Sequence, residues 1–106
     1  MHKIEVVVQA DCVGAVSEAL RRVKLGAFRT SPITLFDSEL EHGSYRGATY
    51  ALGRERIKLE LTVADHEMEL AVDAIRRGID AFGRGDTDLM VLPIEAVLPI
   101  EVHRAR

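Results

Sequence analysis

"HGSYRGATYALGRERIKLEL", residues His42 to Leu61, joins two unlike halves. From Arg56 onward the residues alternate, with Ile57, Leu59 and Leu61 on one side and Arg56, Lys58 and Glu60 on the other. A period of two marks a strand with one buried face. The first half has no period; it holds Gly43, Gly47 and Gly53 and both tyrosines of the chain, Tyr45 and Tyr50. The irregular segment reaches from about Asp37 to Glu55, beyond the roughly 12–15 residues at which a loop is usually functional or disordered. A segment that keeps the only tyrosines of a small protein is expected to touch something else.

Outward from this stretch the remaining elements fall into order. Upstream, "AFRTSPITLF" reads as a strand interrupted by Pro32, which places it at a sheet edge or a bulge. Before it, "HKIEVVVQ" is a strand of β-branched residues. Asp11 offers an N-cap to a helix on which Val13, Val16, Leu20 and Val23 recur to about Lys24, and Gly26 is expected to close it. Downstream of the strand that ends at Val63, Asp65 is expected to cap a second helix striped by Met68, Val72, Ile75 and Ile79. "FGRGDTD" is a glycine-broken turn, and "LMVLPI" and "VLPIEV" are short final strands. The order β-α-β-β-α-β, with a short extra C-terminal strand, predicts an α+β ferredoxin-like sandwich in a single domain spanning residues 1–106.

Two helices cover one face of such a sheet and leave the other open. The first strand and "LMVL" read as apolar on both sides, so the open face is expected to be buried against other subunits.

Composition removes several classes of function. The chain has 106 residues, 47% hydrophobic and 29% charged, as expected of a globular domain. A net charge of −3 argues against an electrostatic nucleic-acid binder. No apolar run approaches the roughly 20 residues that cross a bilayer, so membrane insertion is not expected and the protein is expected to be cytoplasmic. The single cysteine, Cys12, forms no intramolecular disulfide and reads as a small buried residue.

Candidate chemistry is sparse. His2, His42, His66 and His103 lie on different elements, so no metal site or nucleophile–histidine pair is visible, and an enzyme is not expected. "GRGD", Gly83 to Asp86, could cradle a phosphate through its amides with Arg84 adding charge, although such turns commonly only turn. The row Arg56, Lys58, Glu60 and Thr62 is either a solvated strand face or one wall of a cleft that meets a small anion.

Strand order and loop position together make the chain similar to the PII signal-transduction family over nearly its whole length. The opening "MHKIEVVVQ" followed by a helix with "VSEAL" resembles the family's start. "YRGATY", Tyr45 to Tyr50, is similar to the Tyr-Arg-Gly-Ala-Glu-Tyr of the family's T-loop, "IKLELTVAD" falls at its third strand, and Gly85 and Asp86 match part of its B-loop. The resemblance implies a homotrimer that binds adenine nucleotides between subunits and docks on a transporter or enzyme through the T-loop, here about 37–55. It puts the partner-binding residues at Tyr45, Arg46, Gly47 and Tyr50, with Tyr50 where many bacterial members are uridylylated. It implies a ligand cleft built from Phe36, Asp37, Ser38 and Glu39, from Arg56, Lys58, Glu60 and Thr62, and from the B-loop (about 81–88) through Arg84, Gly85, Asp86 and Thr87.

The departures from the family pattern are equally informative. Where the family has Gly-Phe-Gly, a basic residue and glutamine, this chain has Leu35, Phe36, Asp37, Ser38 and Glu39. The B-loop lysine is replaced by Asp88, and the two arginines of the C-terminal loop fall at Pro99 and Glu101. Each lost charge-assisted contact costs on the order of 1.5–3 kcal/mol, so two losses weaken triphosphate binding by well over about a hundredfold. Arg84, Arg104 and Arg106 offer partial compensation, and Arg56 falls near the family's strand-three lysine. The lost cations disfavour ATP, and the resemblance to divergent members of the family implies ADP or AMP as effector, with a small anion such as bicarbonate, in nitrogen or inorganic-carbon metabolism; no cofactor or metal is required. The alternative is a trimeric interaction module that has lost nucleotide binding.

Overall fold

The computed structural model describes residues 1–36, 42–45, 48–51, 53–82 and 88–101, of which 42–45 and 48–51 are described by their backbone alone. Among the described residues six strands and two helices follow one another as β1 (His2–Val8), α1 (Val13–Arg22), β2 (Arg29–Phe36), β3 (His42–Tyr45), β4 (Ala48–Ala51), β5 (Gly53–Val63), α2 (Met68–Asp80) and β6 (Leu89–Pro93). Short 3-10 turns, Ala10–Cys12 and Asp65–Glu67, lead into the helices.

Four strands form one antiparallel sheet in the order β2-β5-β1-β6, and β3 and β4 pair separately as a hairpin. The two central strands, β1 and β5, are the ones that lead into the two helices, as the split β-α-β arrangement requires. Pro32 sits on β2, an outer strand, where the missing N–H is tolerated.

Alternation along the central strands decides the core. Ile4, Val6 and Val8 of β1 and Leu59, Leu61 and Val63 of β5 point to the helix side and are buried. Cys12, Val16 and Leu20 meet them from the α1 side, and Ala71, Ala74, Ile75 and Ile79 from α2. Fully burying a side chain such as Leu59 or Ile75 stabilises the fold by about 1.5–3 kcal/mol. The helices cross closely because Gly78 has no side chain; a Cβ there would lie 2.6 Å from Val16 Cα.

The element ends depart from expectation in four places. Helix α1 is closed by Lys24, whose φ of 62° is left-handed, rather than by Gly26. The Leu25 amide then donates to the Leu20 carbonyl at 2.9 Å, which turns Leu25 back against the core. Asp11 lies inside the first 3-10 turn and is not the N-cap. Asp65 is not a cap either: Glu67 Oε1 accepts from the Ala64 amide at 3.0 Å, while the Asp65 carboxylate pairs with the N-terminal amine. Finally, residues 97–101 of the expected last strand, 97–102, form no strand, and among the described residues none is paired with them; Val102 lies outside the described residues.

The stretch expected to be irregular also has more order than its sequence suggests. It contains the hairpin β3–β4, in which Gly43 faces Tyr50 and Tyr45 faces Ala48. Strand β5 begins at Gly53, three residues before the alternation becomes visible at Arg56.

Candidate functional site

The open face of the sheet collects the side chains that alternate away from the core. From β1 these are Lys3, Glu5 and Val7, and from β5 Arg56, Lys58, Glu60 and Thr62. The expectation of an apolar open face on β1 is therefore corrected: only Val7 is apolar there, because the register sends Ile4, Val6 and Val8 inward. Apolar residues on this face lie toward its margins, Ile33 and Leu35 on β2 and Met90 and Leu92 on β6.

A ring of four charges occupies the centre. Glu5 and Glu60 are direct cross-strand partners, an unfavourable pairing of like charges taken alone. Lys3 Nζ bridges them, 2.9 Å from Glu5 Oε1 and 2.7 Å from Glu60 Oε2. On the other side Lys58 Nζ lies 3.7 Å from Glu5 Oε1 and 3.4 Å from Glu60 Oε1. Hydrogen bonds to Glu60 and then Glu5 raise the Lys3 pKa, and the hydrogen bond from Lys3 lowers that of Glu60. Two of the four sequence-predicted row residues, Lys58 and Glu60, thus have their charges answered within the chain.

Arg56 and Thr62 lie at separate ends of the face. Arg56 lines a cleft of about 440 Å³ with Pro32, Ile33, Thr34 and Glu55, and its Nη1 donates to the Glu55 carbonyl at 2.8 Å. Thr62 and Glu60 line a second cleft of about 440 Å³ with Lys3, Phe28 and Arg29. Phe36 stands at the end of β2 opposite Gly53, and 66% of its surface is exposed. Its ring lies so close over Gly53 that a Cβ there would be 2.9 Å from Cε1.

The other predicted site positions, Asp37, Ser38, Glu39, Arg46, Gly47, Arg84, Gly85, Asp86 and Thr87, lie outside the described residues, as do Arg104 and Arg106. Tyr45 and Tyr50 are placed by backbone, each in one strand of the hairpin.

Two groups escaped sequence reasoning. Lys3 and Glu5 are half of the central ring, and their alternation with Ile4 and Val6 was the available signal. The second is the cluster at the chain start, where Asp65 meets the N-terminal amine and His2 Nδ1 lies 2.9 Å from Asp65 Oδ1. The amine holds the Asp65 carboxyl below its ordinary pKa. Among the described residues no cluster of three metal-ligating side chains occurs, and no helix is long and apolar enough to cross a membrane.

A two-layer α/β sandwich whose open face carries the charged ring, with one cleft beside Arg56 and another beside Thr62, is the class of fold the chain adopts. Comparisons give the particular family. No family model matches the chain. A nitrogen regulatory protein P-II of Bradyrhizobium diazoefficiens is 32% identical over 102 residues, covering 94% of this chain and 91% of that protein. The nitrogen regulatory protein P-II of Rhizobium meliloti is 30% identical over the same shares. The crystal structure of Arabidopsis thaliana PII bound to citrate superposes with a TM-score of 0.72 at 22% identity, over 93% of this chain and 79% of that one. The chain belongs to the PII family of regulatory signalling proteins.

Proposed function

We propose that this chain is a non-enzymatic PII-like regulator that acts as a cytoplasmic homotrimer. A small ligand in the cleft between subunits reshapes the 37–55 segment, which carries Tyr45, Arg46, Gly47 and Tyr50 to a transporter or metabolic enzyme. Such coupling needs a ligand with different affinities for two states of the segment. The observation that carries this reading is "YRGATY", Tyr45 to Tyr50, retained in a chain that aligns with P-II proteins over 94% of its length.

The effector in this reading is ADP or AMP, with a small anion such as bicarbonate beside Arg56. Asp88 and Glu101 oppose a triphosphate, since they put carboxylates where the family resemblance has cations. No cofactor enters the mechanism. Isothermal titration with AMP, ADP and ATP, each with and without bicarbonate, tests it. Saturable binding of AMP or ADP, weaker for ATP, supports the sensor.

A second reading is an interaction module that binds no nucleotide. It is favoured by the same lost cations, and by the ring that already answers the charge of Lys58. Partner binding that ignores every added nucleotide distinguishes it from the sensor.

A further inference from the structure

Two helices cover the four-stranded sheet unevenly, and the gap lies at β6. Leu89 and Val91 are the direct partners of Val6 and Ile4, so all four side chains point to the helix side. Val6 and Ile4 are buried, yet Val91 stays 39% exposed, because α2 packs over β1 rather than over the outer strand. A cleft of about 380 Å³ is left between α2 and β6, on the opposite side of the sheet from the charged ring. Ligand sites occupy roughly 300–1,000 Å³, so this one suits a single small molecule.

The lining has two parts. Val72, Ile75, Ile79 and Leu89 form an apolar floor. Arg76, Asp80 and Asp88 stand exposed around it. Arg77, the next residue along α2, is held by Asp73, whereas Arg76 has no ion pair with another described residue, and neither carboxylate has one. Arg76 and Asp80 are one turn apart on α2, about 6 Å of rise, yet they do not pair with each other. The rim thus sets one cation and two anions, none answered among the described residues, above an apolar surface.

We propose that this cleft binds a free aliphatic α-amino acid such as leucine. A guanidinium recognises a carboxylate through two parallel hydrogen bonds, so Arg76 takes the α-carboxylate. Asp80 and Asp88 take the α-ammonium, and the aliphatic side chain lies on Val72, Ile75 and Ile79. Charge complementarity disfavours the nearest alternatives. A fatty acid leaves both aspartates without a cation, and an aliphatic amine leaves Arg76 without an anion. An acidic amino acid brings a second carboxylate against Asp80 and Asp88. The site goes beyond the nucleotide reading, since it shares no side chain with the clefts beside Arg56 and Thr62. Its two walls are joined in sequence by residues 81–88, so a ligand gripped by Asp80 and Asp88 fixes both ends of that segment.

Isothermal titration of the full chain with leucine tests it, beside isocaproate, which lacks the ammonium, and isoamylamine, which lacks the carboxylate. Arg76→Gln and Asp80→Asn, both at exposed positions, are titrated in parallel after circular dichroism confirms folding. Expected is saturable leucine binding, tighter than either analogue by about tenfold or more, the effect of one charge-assisted contact. Arg76→Gln should weaken leucine to the level of the amine and leave the amine unchanged. Asp80→Asn should weaken leucine and the amine and spare the acid. No saturable leucine binding at millimolar concentration, an analogue that binds as tightly as leucine, or folded variants that bind leucine like the wild type would each overturn the proposal. Neither variant belongs to the proposed nucleotide cleft, so these outcomes leave the sensor reading intact.

Discussion

Glu5 and Glu60 face one another directly across the β1–β5 ladder, and Lys3 holds an oxygen of each within 2.9 Å. Two carboxylates in register would repel; with Lys3 and Lys58 closing the ring, the same positions become a neutral patch in the middle of the open face. A neutral, internally paired centre can be covered by another copy at smaller electrostatic cost than unpaired charges.

The ring gives stability a window of pH. Glu60 has a lowered pKa in the folded chain, so its contribution is present above the ordinary carboxylate pKa, about 4.3, and is lost as pH falls through the depressed value. Lys3 has a raised pKa, so its contribution is present below the unfolded lysine pKa, about 10.4, and disappears as pH rises through the higher folded value. Thermal melts of Glu60→Gln against wild type are expected to differ most near neutral pH and to converge in strong acid. A pH-independent difference contradicts this account.

Gly78 is expected to resist replacement even by alanine. Helix propensity alone favours alanine by about 1 kcal/mol. The added Cβ, however, would sit 2.6 Å from Val16 Cα, so backbone must shift. Overpacking of this kind costs about 1–3 kcal/mol, and Gly78→Ala should be net destabilising in a urea titration.

In the core, Ile75→Ala removes a fully buried side chain between α2 and the sheet. A loss of about 2–5 kcal/mol is expected. Given total stabilities of about 5–15 kcal/mol, the midpoint of chemical denaturation should fall markedly with little change of slope.

Gly53→Ala behaves differently. The atoms in the way, Thr34 Cγ2 at 2.5 Å and Phe36 Cε1 at 2.9 Å, belong to side chains, and Phe36 is largely exposed. Phe36 can swing aside, whereas Thr34 must turn about its stiff χ1, so a loss of about 0.5–1.5 kcal/mol is expected. Under the sensor reading the displaced ring alters the base of the 37–55 segment, and AMP or ADP affinity should fall severalfold in a calorimetric titration. An unchanged affinity removes Phe36 from the ligand site.

The order of strands and helices was legible because periods of 2 and 3.6 are written plainly into "RIKLELTV" and into Met68, Val72, Ile75 and Ile79. Ends of elements were not. Gly53, Arg54 and Glu55 contain no apolar residue to announce that β5 has begun, and pairing with Phe36, Leu35 and Thr34 carries the strand there. Asp65 has the position and chemistry of a cap, yet its carboxylate is taken by an amine 64 residues away in sequence. The charged ring was hidden for a related reason. In "HKIEVVVQ" the run Val6, Val7 and Val8 masks the alternation of Lys3 and Glu5 with Ile4 and Val6, and the register with β5 makes it plain. For the site, strand positions such as Arg56 and Thr62 could be placed from alternation, whereas the positions at 37–39, 46–47 and 84–87 have no period to place them.

Native mass spectrometry of the purified protein, under conditions gentle enough to retain small ligands, tests the central claim most directly. The account predicts a trimer that carries AMP or ADP, whether co-purified or added. A monomer would contradict the assembly, and a bare trimer indifferent to every nucleotide would contradict the sensor.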